Sequence, residues 1–417
     1  MLNAAAGLDR AWDSDLGRRN RGNHSGSDSR RYLDRAARAA VSIAFFIGGK
    51  VIGIWGVHIP TVTARLGVDP GILGLALLCV GIGAASAPVL VAWLVERMCS
   101  RVASTIMLAY FVIVLPIVIA SPSTPALFVA AFLLGFGGGG LNVAINTQAA
   151  ETERARGRPI MSSFHGFWSL GTLAGAATGA EILRLGFGDG RGAAAVALVM
   201  LAVGMIASRG FLVSPARSPE PGVPRARRFA LPTAALVGVV AIGFFSEFIE
   251  GSVNNWSALY LSTVRQLSNA EAANGLVMFS LVMTICRLAG GPVVSRLGER
   301  TLIAAGGLLA AIGVAVVLLA PGSQLSPIGF GIVALGISNI VPVVIGAASR
   351  TPGVAPGTAV AAVFSAITLG YLTAPPAIGI VAQYFGLATG VALLGLAGVV
   401  IVLIAVLRQG RQAAPAG

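Results

Sequence analysis

The chain has 417 residues, of which 56% are hydrophobic and only 11% charged, with a formal net charge of +13. A soluble chain carries about a quarter charged residues, so this composition excludes an ordinary soluble domain, and the lack of strand-like alternation excludes a membrane barrel. Cys79, Cys99 and Cys286 make neither a disulfide framework nor a metal spacing, and no Walker, HExxH or CxxC sequence occurs. The expectation is a polytopic all-α membrane protein with no enzymatic activity, no cofactor and no metal.

Residues 1–38 are rich in Arg, Asp, Gly and Ser and lack the apolar core of a signal peptide. They read as a disordered cytoplasmic tail. Apolar runs follow at 39–59, 71–94, 102–120, 126–147, 160–183 and 193–211, then at 231–261, 271–294, 301–320, 327–348, 357–385 and 388–407. Each is near the roughly 20 residues that a spanning helix needs. The Pro- and Arg-rich stretch 212–230 reads as a cytoplasmic linker between two six-helix bundles, 39–211 and 231–408, and 409–417 as a second cytoplasmic tail. Most arginines, including Arg97, Arg101, Arg154, Arg156, Arg209, Arg225, Arg227, Arg228, Arg296, Arg300, Arg350 and Arg408, fall on the side of the termini. Only Arg65, Arg184, Arg191 and Arg265 fall opposite. The positive-inside rule then places both termini in the cytoplasm and the chain in the inner or plasma membrane. The lipid bilayer thus accounts for the positive charge, and nucleic acid is not an expected partner.

The halves repeat. At an offset of 199 residues Phe45-Phe46 falls on Phe244-Phe245, Arg97 and Arg101 on Arg296 and Arg300, Gly137 on Gly336, and Ser169-Leu170-Gly171 on Thr368-Leu369-Gly370. Duplicated bundles of this kind enclose a site at mid-membrane.

Charge inside the spans marks that site, because an intramembrane ionisable group is expensive and normally faces protein or water. Glu247, Glu250 and Asn254 share one face of a helix. Lys50, the lone lysine, sits about eleven residues into the first span, near the midplane at ~1.5 Å per residue. The offset maps it to Ile249, between the two glutamates. Lys50 is therefore expected within ion-pair reach of Glu247 or Glu250 in at least one state. It reads as a cation for an anionic substrate or part of a proton-linked pair, or else as a purely structural bridge. Glu247 and Glu250 are the candidates for proton coupling, with helix-to-helix bonding as the bland reading. Trp55 and Trp256 are candidates for stacking on a sugar ring or for interface anchoring. His165 reads as a packed histidine or a relay, and Arg287 as an anion binder or a paired structural cation. The glycines Gly135–Gly140 and Gly171, Gly175 and Gly179 read as close helix contacts.

The loop AWLVERMCSR (Ala92–Arg101) and its copy GPVVSRLGER (Gly291–Arg300) resemble the signature loop of the major facilitator superfamily. Ala92 and Cys99 stand in place of its glycines in the first copy, and Ser295 in place of its acid in the second. The run SSFHGFWSLGTLAGAATGA (Ser162–Ala180) resembles the fucose-permease-like branch. The resemblance implies twelve transmembrane helices in two pseudo-symmetric six-helix bundles, with spans one, four, seven and ten lining the cavity. It adds Asn142, Asn146 and Asn339 to Lys50, Trp55, Glu247, Glu250, Asn254 and Trp256 as substrate-binding candidates, although hydrogen bonds between helices would explain the amides equally well. Glu96, Arg97, Arg101, Arg296 and Arg300 become candidates for a gating charge network, unless they only obey the positive-inside rule. The implied function is secondary active transport by a monomer, with proton-coupled symport of a sugar or sugar-acid-like solute. Drug or metabolite efflux is the alternative, and a non-transporting sensor or assembly factor is a second one.

Overall fold

The computed structural model describes residues 25–157, 160–213, 236–351 and 354–413. The first half contains α1 (Ser25–Leu66), α2 (Pro70–Met98), α3 (Ser100–Ile119), α4 (Thr124–Arg156), α5 (Met161–Arg184) and α6 (Arg191–Ser208). The second contains α7 (Val237–Thr263), α8 (Asn269–Ala272), α9 (Asn274–Leu288), α10 (Gly290–Leu297), α11 (Glu299–Leu319), α12 (Ser326–Ile337), α13 (Ile340–Ser349), α14 (Pro356–Phe385) and α15 (Leu387–Ala413). α1 begins inside the stretch expected to be a disordered tail. Most of the expected linker, and the last four residues of the chain, lie outside the described residues.

Eleven helices or helix pairs among the described residues are long and apolar enough to cross a membrane. α5 is also long enough, with 24 residues, but its serines, threonines, histidine and glutamate make it less apolar than the others. It is the twelfth span, and its polarity has a structural reason: part of it faces protein polar groups instead of lipid. Local signals set several helix ends. Asp69 accepts from the Ile72 amide at 2.8 Å before Pro70 opens α2, and Gly157 closes α4 in the left-handed region at φ 62°.

Close approach between helices rests on glycine. A methyl group on Gly171 of α5 would overlap the Phe46 carbonyl of α1, and one on Gly370 of α14 would overlap the Phe244 carbonyl of α7. These contacts correspond in the two halves with a one-residue shift on α7, and other paired contacts extend the correspondence. The Arg65 guanidinium donates to the carbonyls of Ile119 and Ser121 at 2.5 and 3.0 Å. Arg265 donates to Ala320 and Gly322 at 2.5 and 2.9 Å. Each arginine thus stitches the C-terminal end of α3 or α11, where orphan carbonyls and the helix dipole both favour a cation. At the opposite ends the Ser100 hydroxyl donates to Glu151 at 2.7 Å, and Arg350 pairs with Glu299. Both pairs join the start of the third span of a half to the end of its fourth. Arg184 and Arg191 are paired with Glu181 and Asp189 at 2.6 and 2.7 Å. All four arginines on the side away from the termini therefore have local partners.

The halves meet most tightly on that far side. α1 crosses α7 where a methyl group on Gly56 would lie 2.6 Å from the Asn254 carbonyl. The Asn269 amide donates to Thr61 at 3.4 Å, and the Gly71 amide to the Gln383 side chain at 3.1 Å. Here α1 is buried on all sides from Gly53 to Pro60, and α7 from Asn255 to Leu261. Toward the termini each helix instead carries a half-buried stripe: Ile43, Phe46 and Lys50 on α1, and Val240, Phe244, Glu247, Glu250 and Asn254 on α7. The stripes mark a cleft that is shut at its far end.

Candidate functional site

Lys50, Glu247 and Glu250 all lie near the closed end of these stripes, but the ion pair that forms does not involve the lysine. Arg287, in the last turn of α9, donates to both oxygens of Glu250, at 2.8 and 3.1 Å. A second guanidinium nitrogen donates to the Ser169 hydroxyl of α5 at 3.1 Å, which carries the interaction into the other half. The pair is mostly shielded, with 26% and 18% of the two side chains exposed. Arg287 Nε also points at the Ser338 carbonyl at 3.4 Å.

That carbonyl is free for a reason visible in the chain. Its helical donor would be the amide of residue 342, which is Pro342 and has none. The tenth span accordingly breaks between α12 and α13, and Asn339 takes up a non-helical backbone there with φ −109° and ψ 2°. The Asn339 side chain donates to the Cys286 carbonyl at 3.1 Å and to the Ser338 hydroxyl at 3.1 Å. The break and the end of α9 are thus tied together around Arg287.

Glu247 is the carboxyl left over. It is half-buried and, among the described residues, makes no hydrogen bond or ion pair. Its charged or titratable neighbours are Glu250, Arg287 and Tyr371 of α14. The Tyr371 ring packs over Gly251 and its hydroxyl faces Asn255, whose amide is turned back onto the Gly251 carbonyl at 2.7 Å. Lys50 is half-buried and belongs to no ion pair among the described residues.

The expected pairing of Lys50 with a glutamate is therefore absent in this conformation. One nitrogen of Arg287, Nη2, donates to both oxygens of Glu250, and this charge-assisted contact occupies Glu250. Arg287 is thus paired with Glu250 in this conformation. Trp55 and Trp256 are buried, 4% and 1% exposed, with indole N–H groups that have no hydrogen-bond partner among the described residues. Both lie where α1 and α7 are buried on every side among the described residues. Asn146 donates to the carbonyl and side chain of Asn142 at 2.8 and 3.1 Å. These two amides are joined to each other, and Asn142 is exposed. Asn254 lies half-buried at the crossing with Gly56. His165 meets the edge of Phe45, ring centres 5.3 Å apart, lies near Arg287, and its carbonyl accepts from the Ser169 hydroxyl at 3.4 Å.

Among the gating candidates, Arg97, Arg296 and Arg300 are exposed, and Arg97 lies 5.5 Å over the Trp93 ring. Neither they nor Arg101 belong to an ion pair among the described residues. The Glu96 side chain lies outside the described set. Sequence reasoning missed Ser169 and Tyr371 as site residues. Ser169 was visible only as part of the repeated S/T-L-G, and nothing marked Tyr371.

The chain matches the profile of the Major Facilitator Superfamily over residues 40–355. It is 31% identical over 346 residues to an uncharacterised MFS-type transporter of Yersinia pestis, covering 83% of this chain and 89% of the relative. It is 32% identical over 382 residues to an uncharacterised transporter, y4wD, of Sinorhizobium fredii, covering 88% and 97%. In fold it resembles a bacterial homologue of the human lysosomal transporter Spinster in an inward-facing, unoccupied conformation, with TM-score 0.70 and 13% identity over 93% of this chain and 99% of that one. It also resembles the E. coli fucose:proton symporter FucP, with TM-score 0.56 and 15% identity over 89% and 98%. A profile match across most of the chain, on two equivalent six-span halves, makes this chain a member of the major facilitator superfamily of membrane transporters.

Proposed function

We propose that the protein is a proton-coupled secondary transporter of a small polar solute, sugar or sugar-acid-like, that works as a symporter by alternating access in the inner or plasma membrane. In this reading both termini are cytoplasmic, and the cleft open toward them is the inward-facing state. The observation that carries the reading is the division of labour between the glutamates. Glu250 is held by Arg287, itself bonded to Ser169, whereas Glu247 stands half-buried beside them with no hydrogen-bond or ion-pair partner among the described residues. A group that must gain and lose a proton in each cycle needs that freedom. The Ser169–Arg287–Glu250 chain crosses between the halves and would be remade as they rock. Arg97, Arg101, Arg296 and Arg300, which belong to no ion pair among the described residues, would form their contacts in the outward-facing state. An unpaired carboxylate would also suit a cationic solute exchanged for protons, which is the efflux alternative.

The test uses purified protein in liposomes. Glu247→Gln should retain solute exchange and lose accumulation driven by a pH gradient, whereas Glu250→Gln should lose exchange itself. Retention of gradient-driven accumulation by Glu247→Gln would remove the proton role.

A further inference from the structure

We propose that the closed end of the cleft is a charge-balanced site for one carboxylate, so that a monoanionic polyhydroxy acid and one proton cross together without net charge. The proposal rests on the proton-coupled reading above and adds the substrate class and the stoichiometry.

The net charge at the closed end of the cleft is set by the ionisable groups gathered there. Glu250 of α7, Arg287 of α9 and Tyr371 of α14 neighbour Glu247, α5 contributes His165 near Arg287, and α1 contributes Lys50 at the closed end of its half-buried stripe. The break between α12 and α13 offers only neutral Ser338 and Asn339, and α15 carries no titratable side chain from Leu387 to Leu407. Arg287 and Glu250 cancel as a bonded pair. At neutral pH tyrosine and most unperturbed histidine carry no charge. Lys50 and Glu247 remain, each half-buried and unpaired among the described residues.

Four states of the site follow. Empty and with Glu247 ionised, it is neutral. With a proton alone it carries one positive charge, and with a carboxylate alone one negative charge. With both it is neutral again, the carboxylate lying against Lys50 and Glu247 carrying the proton. The rocking step carries the site through the middle of the bilayer, where a net charge is disfavoured by roughly a hundredfold on insertion scales. Only the empty and doubly loaded forms escape that penalty, and those are the two forms a symporter must move. The half-loaded forms, which would leak protons or solute, are the disfavoured ones. A neutral sugar leaves Lys50 unmatched whenever Glu247 is protonated. An amine would need Glu247 ionised and would meet Lys50 as a like charge.

The test has two arms. In the first, thermal unfolding of the purified full chain is followed at pH 5.5 and pH 8 with D-glucuronate, D-galacturonate, D-gluconate, D-glucose, L-fucose and D-glucosamine. At least one acid should stabilise the protein, more strongly at pH 5.5, and neither neutral sugar nor amine should match it. Glu247→Gln should bind the acid equally at both pH values. Lys50→Met should lose acid binding by roughly a hundredfold, and Lys50→Arg should restore it. Stabilisation by a neutral sugar or the amine in preference to every acid, no response to any acid at pH 5.5, or unchanged acid binding in Lys50→Met would overturn the proposal. In the second arm, liposome uptake of the best acid should respond to a pH gradient and ignore a potassium–valinomycin potential. Uptake driven by both would sink the charge balance and leave proton coupling intact, whereas uptake indifferent to the pH gradient would sink the proton-coupled reading itself.

Discussion

Arg287 and Lys50 show how two cations at the same site come to do different work. One guanidinium nitrogen of Arg287 donates to both oxygens of Glu250, a second to Ser169 and Nε to the Ser338 carbonyl, a spread of donors that the single ammonium of a lysine cannot reproduce. Removing one partner of a shielded pair leaves the other uncompensated and costs about 3–5 kcal/mol, whereas replacing both is far less damaging. Arg287→Met should therefore lower the thermal unfolding temperature markedly, and Arg287→Met with Glu250→Gln should recover most of the loss. A double variant no more stable than the single one would show that Arg287 acts through its other contacts. The arginine, glutamates and lysine were all legible in the sequence as intramembrane charges. Their pairing was not. A repeat offset fixes depth along the membrane, but it does not fix the direction in which each side chain points, and the Arg287 guanidinium reaches Glu250 from a neighbouring helix.

Two of the spans that shape the site are irregular, and each irregularity has a chemical origin. α5 is less apolar than the other spans, yet the same residues supply Ser169 to Arg287 and Gly171 to the contact with α1. The tenth span breaks where Pro342 removes the amide that would have held the Ser338 carbonyl. Pro342→Ala supplies that amide, so α12 and α13 should join into one helix and Arg287 Nε should lose its acceptor. The expected outcome is unchanged or raised stability with transport slowed more than solute binding is weakened, read from initial rates and a binding isotherm. Transport at the wild-type rate would mean that the break has no part in the cycle. Pro342 was available as a signal in the sequence, since a proline inside a span interrupts its ladder. Trp55 and Trp256 gave no such signal: aromatic residues toward a span's end suggest interface or ligand, and only the tight crossing at Gly56 explains why both are buried.

At the scale of the molecule, two equivalent bundles close on one side through α1, α7 and the Gly71–Gln383 and Thr61–Asn269 contacts, and leave a cleft toward the termini. The six-and-six division was legible because apolar length and the 199-residue offset both survive in the sequence. The state of the cleft was not, because which end is shut depends on packing between helices far apart in the chain. A reporter fused after Arg228 should read cytoplasmic and one fused within 186–190 should read periplasmic; the reverse pattern would turn the cleft outward. The central claim is that Glu247 is the group that exchanges a proton as solute binds. It is tested most directly by the pH change of a weakly buffered solution of the purified protein on adding whichever solute binds it. The account predicts uptake of about one proton per solute bound by wild type, none by Glu247→Gln, and continued uptake by Lys50→Arg. Proton uptake that persists unchanged in Glu247→Gln would contradict it.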